Sequence, residues 1–339
     1  MKLSQAETII EAAIDHALAI KGGRDAEYIV PYLESGAGIG KTTTVKSVAK
    51  RRDMDCHILS LAQYDAGELA GWPVPSKDGE TMVRMRPDWM PTEGPCILFL
   101  DELPQAPTAN MNIAAQIANE RRIGPHYLPE ECVVIGAGNR MSDRAGTNTM
   151  PTHLRDRLMF LEIEADLEDT IAYYYSVGVA PIVCAFLRFR PEWLHKFDRD
   201  ANACPSPRSW ERVSSIMKWA LDQVCFQEAI AGQVGRAACA DFMGFVKLYS
   251  TVPDIDDLIA DPDGASISDD PAVMYAICAA LASRINKTNA ASIIKYLNRL
   301  PQQEFSAFVI KDALNRSSDL KQVKAVRDWI MQSGKHLML

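Results

Sequence analysis

No stretch restricts this chain more than Glu34-Ser35-Gly36-Ala37-Gly38-Ile39-Gly40-Lys41-Thr42-Thr43. An extended apolar run (Tyr28, Ile29, Val30, Tyr32, Leu33) feeds a glycine-rich turn, and Lys41 and Thr42 open a helix continued by Val45, Val48 and Ala49. Glycines at 36, 38 and 40 let successive backbone N–H groups and the positive end of the helix converge on phosphate oxygens. Gly36, Ala37, Gly38, Ile39, Gly40, Lys41, Thr42 and Thr43 are therefore expected to cradle a nucleotide phosphate. Lys41 would reach the β- and γ-phosphates and the Thr42 hydroxyl would bind magnesium. Ser35 departs from the pattern G-x-x-x-x-G-K-[ST], which has glycine there; serine followed by Gly36 is expected to be tolerated, away from the closest phosphate contacts.

A strand, a loop and a helix in that order imply a parallel α/β sheet, and a second signal agrees. Cys96-Ile97-Leu98-Phe99-Leu100-Asp101-Glu102 is an unbroken apolar run closed by two acids, the pattern of a strand buried on both faces whose carboxyl end meets ligand. Asp101 is expected to hold the magnesium water shell and Glu102 to polarise an attacking water. A further buried strand, 132–138, ends at Asn139, an amide placed to orient that water, although asparagine after glycine is also an ordinary turn residue. Arg155 and Arg157 precede a strand at 158–163; they are remote from their own phosphate loop and make sense against a neighbouring subunit's γ-phosphate, or simply as an exposed basic turn.

The remainder reads in order. Ser4 with Glu7 looks like the cap of an amphipathic helix carrying Ile9, Ile10, Ala13, Ile14 and Ala17, ending at Gly22-Gly23. Pro31 is awkward inside a central strand. Residues 56–61 read as a strand and 64–69 as a short helix. About 71–86, with Asp78-Gly79 at a turn, reads as an inserted hairpin whose base Trp72 and Trp89 pack, with a central pore as the alternative place for Trp72. Residues 107–119 form a helix and 123–129 a turn or small hairpin. From Leu167 strands disappear: helical patterns cover 172–175, 181–189 and 191–197, with Tyr173-Tyr174-Tyr175 as lid core. Arg208 stands at a helix start, able to touch phosphates if this helical lid folds over the sheet. Further helices are expected at 271–286, 289–300, 303–314 and 320–331.

Composition narrows the function. The 339 residues carry a net charge of −8, so there is no general basic footprint for nucleic acid. The eight cysteines never fall in C-x-x-C spacing and read as buried thiols of a reducing compartment. The six histidines lack metal-ligand spacing, which counts against a metal hydrolase. Acid at Glu7 comes too early for a signal peptide and no run approaches a membrane span, so a cytoplasmic protein with no membrane association is expected.

Taken together, Ser-Gly-Ala-Gly-Ile-Gly-Lys-Thr, Leu-Phe-Leu-Asp-Glu-Leu, Gly-Ala-Gly-Asn-Arg, Leu-Arg-Asp-Arg-Leu and Ser-Pro-Arg-Ser-Trp resemble the AAA+ ATPases, and the hairpin resembles their MoxR-like branch. The resemblance spans about 25–260. It implies a P-loop NTPase sheet of order 5-1-4-3-2 in residues 1–164 and an all-helical lid in 165–262; the helical patterns of 263–339, which the motifs do not cover, read as a further helical extension. The resemblance also implies Walker A roles for Lys41 and Thr42 and Walker B roles for Asp101 and Glu102. Asn139 would be sensor 1, Arg157 the arginine finger with Arg155 as runner-up, and Arg208 sensor 2. Members typically bind ATP and Mg2+ between subunits of a six-membered ring and remodel protein partners, often with a von Willebrand factor A domain. The expected function is ATP-driven protein remodelling. The alternatives are a nucleic-acid motor, kept open by Lys77, Arg84 and Arg86 on the hairpin, and a slowly hydrolysing binding switch.

Overall fold

The computed structural model describes residues 1–20, 28–140, 148–249 and 254–334, with 333 and 334 in backbone only. The chain divides into two compact units, Met1–Ala165 and Asp166–Leu339.

The first unit runs α1 (Leu3–Ala19), β1 (Val30–Ser35), α2 (Lys41–Arg51), β2 (Asp55–Ser60), α3 (Ala66–Ala70), β3 (Pro73–Pro75), β4 (Met82–Arg84), β5 (Cys96–Asp101), α4 (Thr108–Glu120), β6 (Arg122–Ile123), β7 (His126–Tyr127), β8 (Cys132–Asn139), α5 (Thr152–Arg155) and β9 (Leu158–Ile163). Its central sheet has the order β2-β5-β8-β1-β9 with every pairing parallel. Counting its five strands along the chain, that is 5-1-4-3-2, as expected. Apolar side chains alternate across it. Leu33, Ile97, Phe99, Val133 and Ile135 pack with Ile10 and Ile14 of α1 and Val45 and Val48 of α2 on one face. Tyr32, Leu98, Leu100 and Val134 pack with Met111, Ala114 and Ile117 of α4 on the other. Burial on both faces is why β5 reads as a continuous apolar run.

Local chemistry settles several details. Pro31 is opposite Met159 inside the β1–β9 ladder, whereas pairing with β8 begins at Tyr32, so the missing N–H costs the β8 ladder nothing. The α1 cap lies two residues earlier than the sequence suggests: the side chain of Gln5 accepts from the Lys2 amide at 3.0 Å. Glu7 is engaged elsewhere, with Arg51 of α2 at 2.8 Å. The expected end of α1 at Gly22-Gly23 lies outside the described residues. The inserted hairpin is β3–β4, with Asp78-Gly79 in its loop. Trp89 anchors its base by donating Nε1–H to the Leu69 carbonyl at 3.3 Å. Trp72, expected to share that role, is 59% exposed. The second hairpin, β6–β7, leans on the first: His126 Nε2 lies 2.8 Å from the Arg84 carbonyl.

The second unit is built from α6 (Leu167–Val177), α7 (Pro181–Phe189), α8 (Pro207–Ile216), α9 (Gln223–Val234), α10 (Arg236–Tyr249), α11 (Ile255–Ala260), α12 (Pro271–Arg284), α13 (Ala290–Leu297), α14 (Gln303–Arg316) and α15 (Lys324–Trp329). No strand occurs among its described residues. The helix expected at 191–197 is a single 3-10 turn, Pro191–Trp193. The one expected at 320–331 is a 3-10 turn, α15 and a π turn in succession. Of the three tyrosines, Tyr174 is fully buried and donates to the Pro207 carbonyl at 2.6 Å, while Tyr173 and Tyr175 are half-buried. The boundary expected near 262 falls within this unit, because α12 packs on α7 and α14 on α6. Arg188 of α7 marks that junction, held between Asp312 of α14 and Glu168 of α6 at 2.5 Å each. Of the cysteines, Cys225 is exposed and Cys56 and Cys204 are half-buried, so not all are core thiols. No described helix is long and apolar enough to cross a membrane.

Candidate nucleotide site

Strands β1, β5 and β8 end side by side, and the polar side chains of the sequence motifs meet there. After β1 the chain turns through residues 36–40 with Gly38 at φ 78° and Gly40 at φ 115°, conformations that a side chain would strain. Gly40 precedes the first residue of α2, so the loop delivers the chain into a helix whose first-turn amides have no partner within the helix.

Lys41 is folded across the strand ends. Its ammonium lies 2.9 Å from Asn139 Oδ1, 2.9 Å from Ser35 Oγ, 3.3 Å from the Gly36 carbonyl and 3.4 Å from the Ser35 carbonyl. Ser35 and Asn139 are register partners on β1 and β8, which is why both reach the same cation. One residue on, Thr42 donates its hydroxyl to Asp101 Oδ2 at 2.8 Å. The other carboxylate oxygen of Asp101 accepts the Glu102 amide at 2.9 Å, fixing its plane.

A hydroxyl and a carboxylate brought together are hard oxygen donors, and they fit the small protein share of a magnesium ion that keeps water and phosphate ligands. The positive-φ glycines, the Lys41 ammonium and the start of α2 fit a polyphosphate.

Glu102 has φ 57° and ψ 33°, the left-handed region, at the point where β5 breaks into a 3-10 turn. Its carboxylate accepts from the Ser60 hydroxyl at 3.2 Å. The turn after it, Leu103–Gln105, is wedged against two glycines of β8. A methyl at Gly136 would meet Leu103 at 2.9 Å and the Tyr32 ring at 3.0 Å. One at Gly138 would meet the Tyr32 hydroxyl oxygen at 2.2 Å and Pro104 at 2.3 Å. That hydroxyl is buried without a hydrogen-bond partner, and burial followed by the charge of Glu34 pushes its pKa well above the ordinary tyrosine value. Glu102 and Asn139 thus sit on backbones whose separation is set by packing.

The arginines are placed differently. Arg155 ends α5 and is exposed, whereas Arg157 is half-buried, donates to the His153 carbonyl and has Nε buried without a partner. Arg208 is exposed in the first turn of α8, in the second unit. Sequence reasoning missed two site residues, Ser35 as a contact of Lys41 and Ser60 as a contact of Glu102. Ser60 is the register partner of Asp101, so the strand pairing carries the signal that the linear sequence lacks.

Residues 32–161 match the model of the ATPase family associated with various cellular activities (AAA). The match takes in the phosphate loop, β5, β8 and most of β1 and β9, and with the 5-1-4-3-2 strand order it gives the first unit an AAA+ P-loop NTPase fold, followed by a helical C-terminal region. No curated protein matches the chain. Among solved structures, one mutant of Thermotoga maritima RuvB is 16% identical, with a TM-score of 0.40 over 82% of this chain and 81% of that one. A second mutant of the same protein is 15% identical, with a TM-score of 0.39 over 81% and 82% of the two chains. NtrX from Brucella abortus in complex with ATP is 11% identical, with a TM-score of 0.38 over 97% of this chain and 68% of that one.

Proposed function

We propose that this chain is a MoxR-like AAA+ ATPase that hydrolyses ATP at subunit interfaces of a ring to remodel a protein partner. The observation that carries the hydrolytic part is the convergence of Lys41, Thr42, Asp101 and Asn139 at adjoining strand ends through contacts of 2.8 to 2.9 Å. A triphosphate would lie along residues 36–43, with Lys41 drawn toward its β- and γ-phosphates. Thr42 and Asp101 would hold magnesium, which when bound neutralises charge building on the phosphate oxygens. Glu102 accepts hydrogen bonds from the attacking water and takes its proton, while Asn139 orients that water beside the γ-phosphate. A remote guanidinium neutralises transition-state charge from a neighbouring subunit. Arg157 is the first candidate and Arg155 the second: Arg157 donates to the His153 carbonyl of α5, and Arg155 is exposed at the end of that helix.

The protein partner is supported by the insertion hairpin. Trp72, Met82, Val83 and Met85 are all exposed on it. Between 71 and 88, Lys77, Arg84 and Arg86 are balanced by Asp78, Glu80 and Asp88, so the surface is apolar and uncharged overall, which suits a polypeptide better than a phosphate backbone.

The test of the hydrolytic reading is Glu102→Gln, followed by ATP turnover and by retention of labelled ATP. Turnover should fall by about 10²-fold or more, the size of a lost general base, with nucleotide retained. Unchanged turnover removes Glu102 from the chemistry. For the shared site, Arg155→Ala or Arg157→Ala subunits are mixed with Glu102→Gln subunits. Recovery of activity in the mixture is expected for the arginine that acts across the interface, and recovery with neither means that these arginines act within their own subunit or not at all.

A further inference from the structure

We propose that Ser35 is a positioning residue for the phosphate-binding lysine: its hydroxyl holds Lys41 at the strand ends, contends with phosphate for the ammonium, and so weakens nucleotide binding. The inference rests on the reading of residues 36–43 as an ATP site. Ser35 is also the one position at which the loop departs from the general pattern, which has glycine and therefore no side chain there.

The geometry is specific. Ser35 is completely buried at the last position of β1. Its hydroxyl donates to the Gly36 carbonyl at 2.9 Å, so its hydrogen is committed and a lone pair is free to face Lys41 Nζ, also 2.9 Å away. A lysine ammonium has three hydrogens to donate. Here it has at least four oxygens within 3.4 Å, two of them side-chain atoms on register partners, Ser35 and Asn139. These oxygens already compete with one another, and an entering phosphate must draw the cation away from some of them. With glycine at 35 the Asn139 amide and the two carbonyls would remain, so the serine adds one oriented acceptor to the side opposing the nucleotide. It also ties Lys41 to the β1 strand end, next to the amide proposed to orient water.

A purely structural serine makes a different prediction. If the hydroxyl only satisfies the Gly36 carbonyl at a strand end, its removal lowers stability and leaves nucleotide affinity alone or weakens it. The Ser35 latch predicts the opposite sign, and predicts that the effect passes through Lys41.

The experiment measures equilibrium binding of fluorescent ATP and ADP analogues to the full chain as wild type, Ser35→Ala and Ser35→Gly, each also in a Lys41→Ala background, with thermal unfolding of the same samples. Ser35→Gly restores the pattern residue without adding a methyl group and covers the case in which Ser35→Ala does not fold. Both variants should bind both nucleotides more tightly, by about tenfold, the equivalent of one hydrogen bond to a charged group. In the Lys41→Ala background, where binding is lost or weakened, neither substitution should restore or strengthen it. Binding by wild type that is unchanged or weakened in both variants overturns the latch and leaves the ATP reading standing. Tightening that persists without Lys41 also overturns it. Absence of binding by wild type and by both variants overturns the ATP reading and the latch together.

Discussion

Gly138 of β8 leaves no room for a side chain, and Gly138→Ala is the substitution that probes the packing around it. The new methyl would lie 2.2 Å from the Tyr32 hydroxyl oxygen and 2.3 and 2.6 Å from Cδ and Cγ of Pro104, where ordinary contact begins near 3.4 Å. Something must move by about 1 Å on each side, and neither a proline ring nor a tyrosine ring between β8 and β9 yields easily. Overpacking of this kind costs about 1 to 3 kcal/mol, and closure on two sides places it near the upper end. For a unit of this size that is a melting-temperature drop of about 6 to 12 °C. Pro104 is two residues beyond Glu102, so ATP turnover should fall more than nucleotide affinity. Tyr32→Phe alone should be neutral or stabilising, since it removes a buried hydroxyl that has no partner. Because it also removes the 2.2 Å clash, the double variant should recover about 1 kcal/mol beyond additivity in urea unfolding. Additive effects within about 0.5 kcal/mol would refute the wedge, since sites that do not touch behave that way.

Further predictions concern the proposed magnesium site and the helical unit. Asp101→Asn should raise the magnesium concentration needed for half-maximal turnover by about tenfold or more while metal-free nucleotide binding persists, read by titration with and without chelator. Asp312→Ala leaves the guanidinium of Arg188, 8% exposed, without its buried partner and should cost about 3 to 5 kcal/mol in denaturant unfolding, whereas Arg188→Leu with Asp312→Leu should recover much of that. Burial pushes the Glu168 carboxyl up, but hydrogen bonds and charge from Arg188 and Lys311 outweigh it and hold the group below the usual carboxylate range. Its contribution is therefore present above the unfolded carboxylate pKa of about 4.3 and is lost as pH falls through that value toward the lower folded one. Melting of wild type should drop more steeply than that of Glu168→Gln between about pH 5 and pH 3, and parallel curves would exclude the carboxylate as the cause.

Much of the first unit was legible because its signals are local. The alternation that buries β5 on both faces, the glycines of the loop and the Asp-Gly turn of the hairpin each act within a few residues. The second unit was harder. In α9 the apolar residues do not fall on one stripe: Val224 is 72% exposed while Ile230 and Val234 are buried, so the helix carries no periodic signature. Gly232 in α9 and Gly244 in α10 weaken the propensity signal as well. The cap of α1 was misplaced because Glu7 is engaged by Arg51, 44 residues away, which no local rule can know. The same limit hid Ser35. Its neighbour Lys41 is close in sequence, but the second arm of the contact, Asn139, reaches it only through strand pairing.

The left-handed backbone at Glu102 has a consequence for variation at that position. Glycine or asparagine would occupy φ 57° with less strain than glutamate, by about 1 kcal/mol. A library sorted on thermal endurance alone should therefore drift away from glutamate at 102, whereas one sorted on nucleotide turnover should keep it, and the divergence between the two pools would record how far chemistry, not folding, chose this residue.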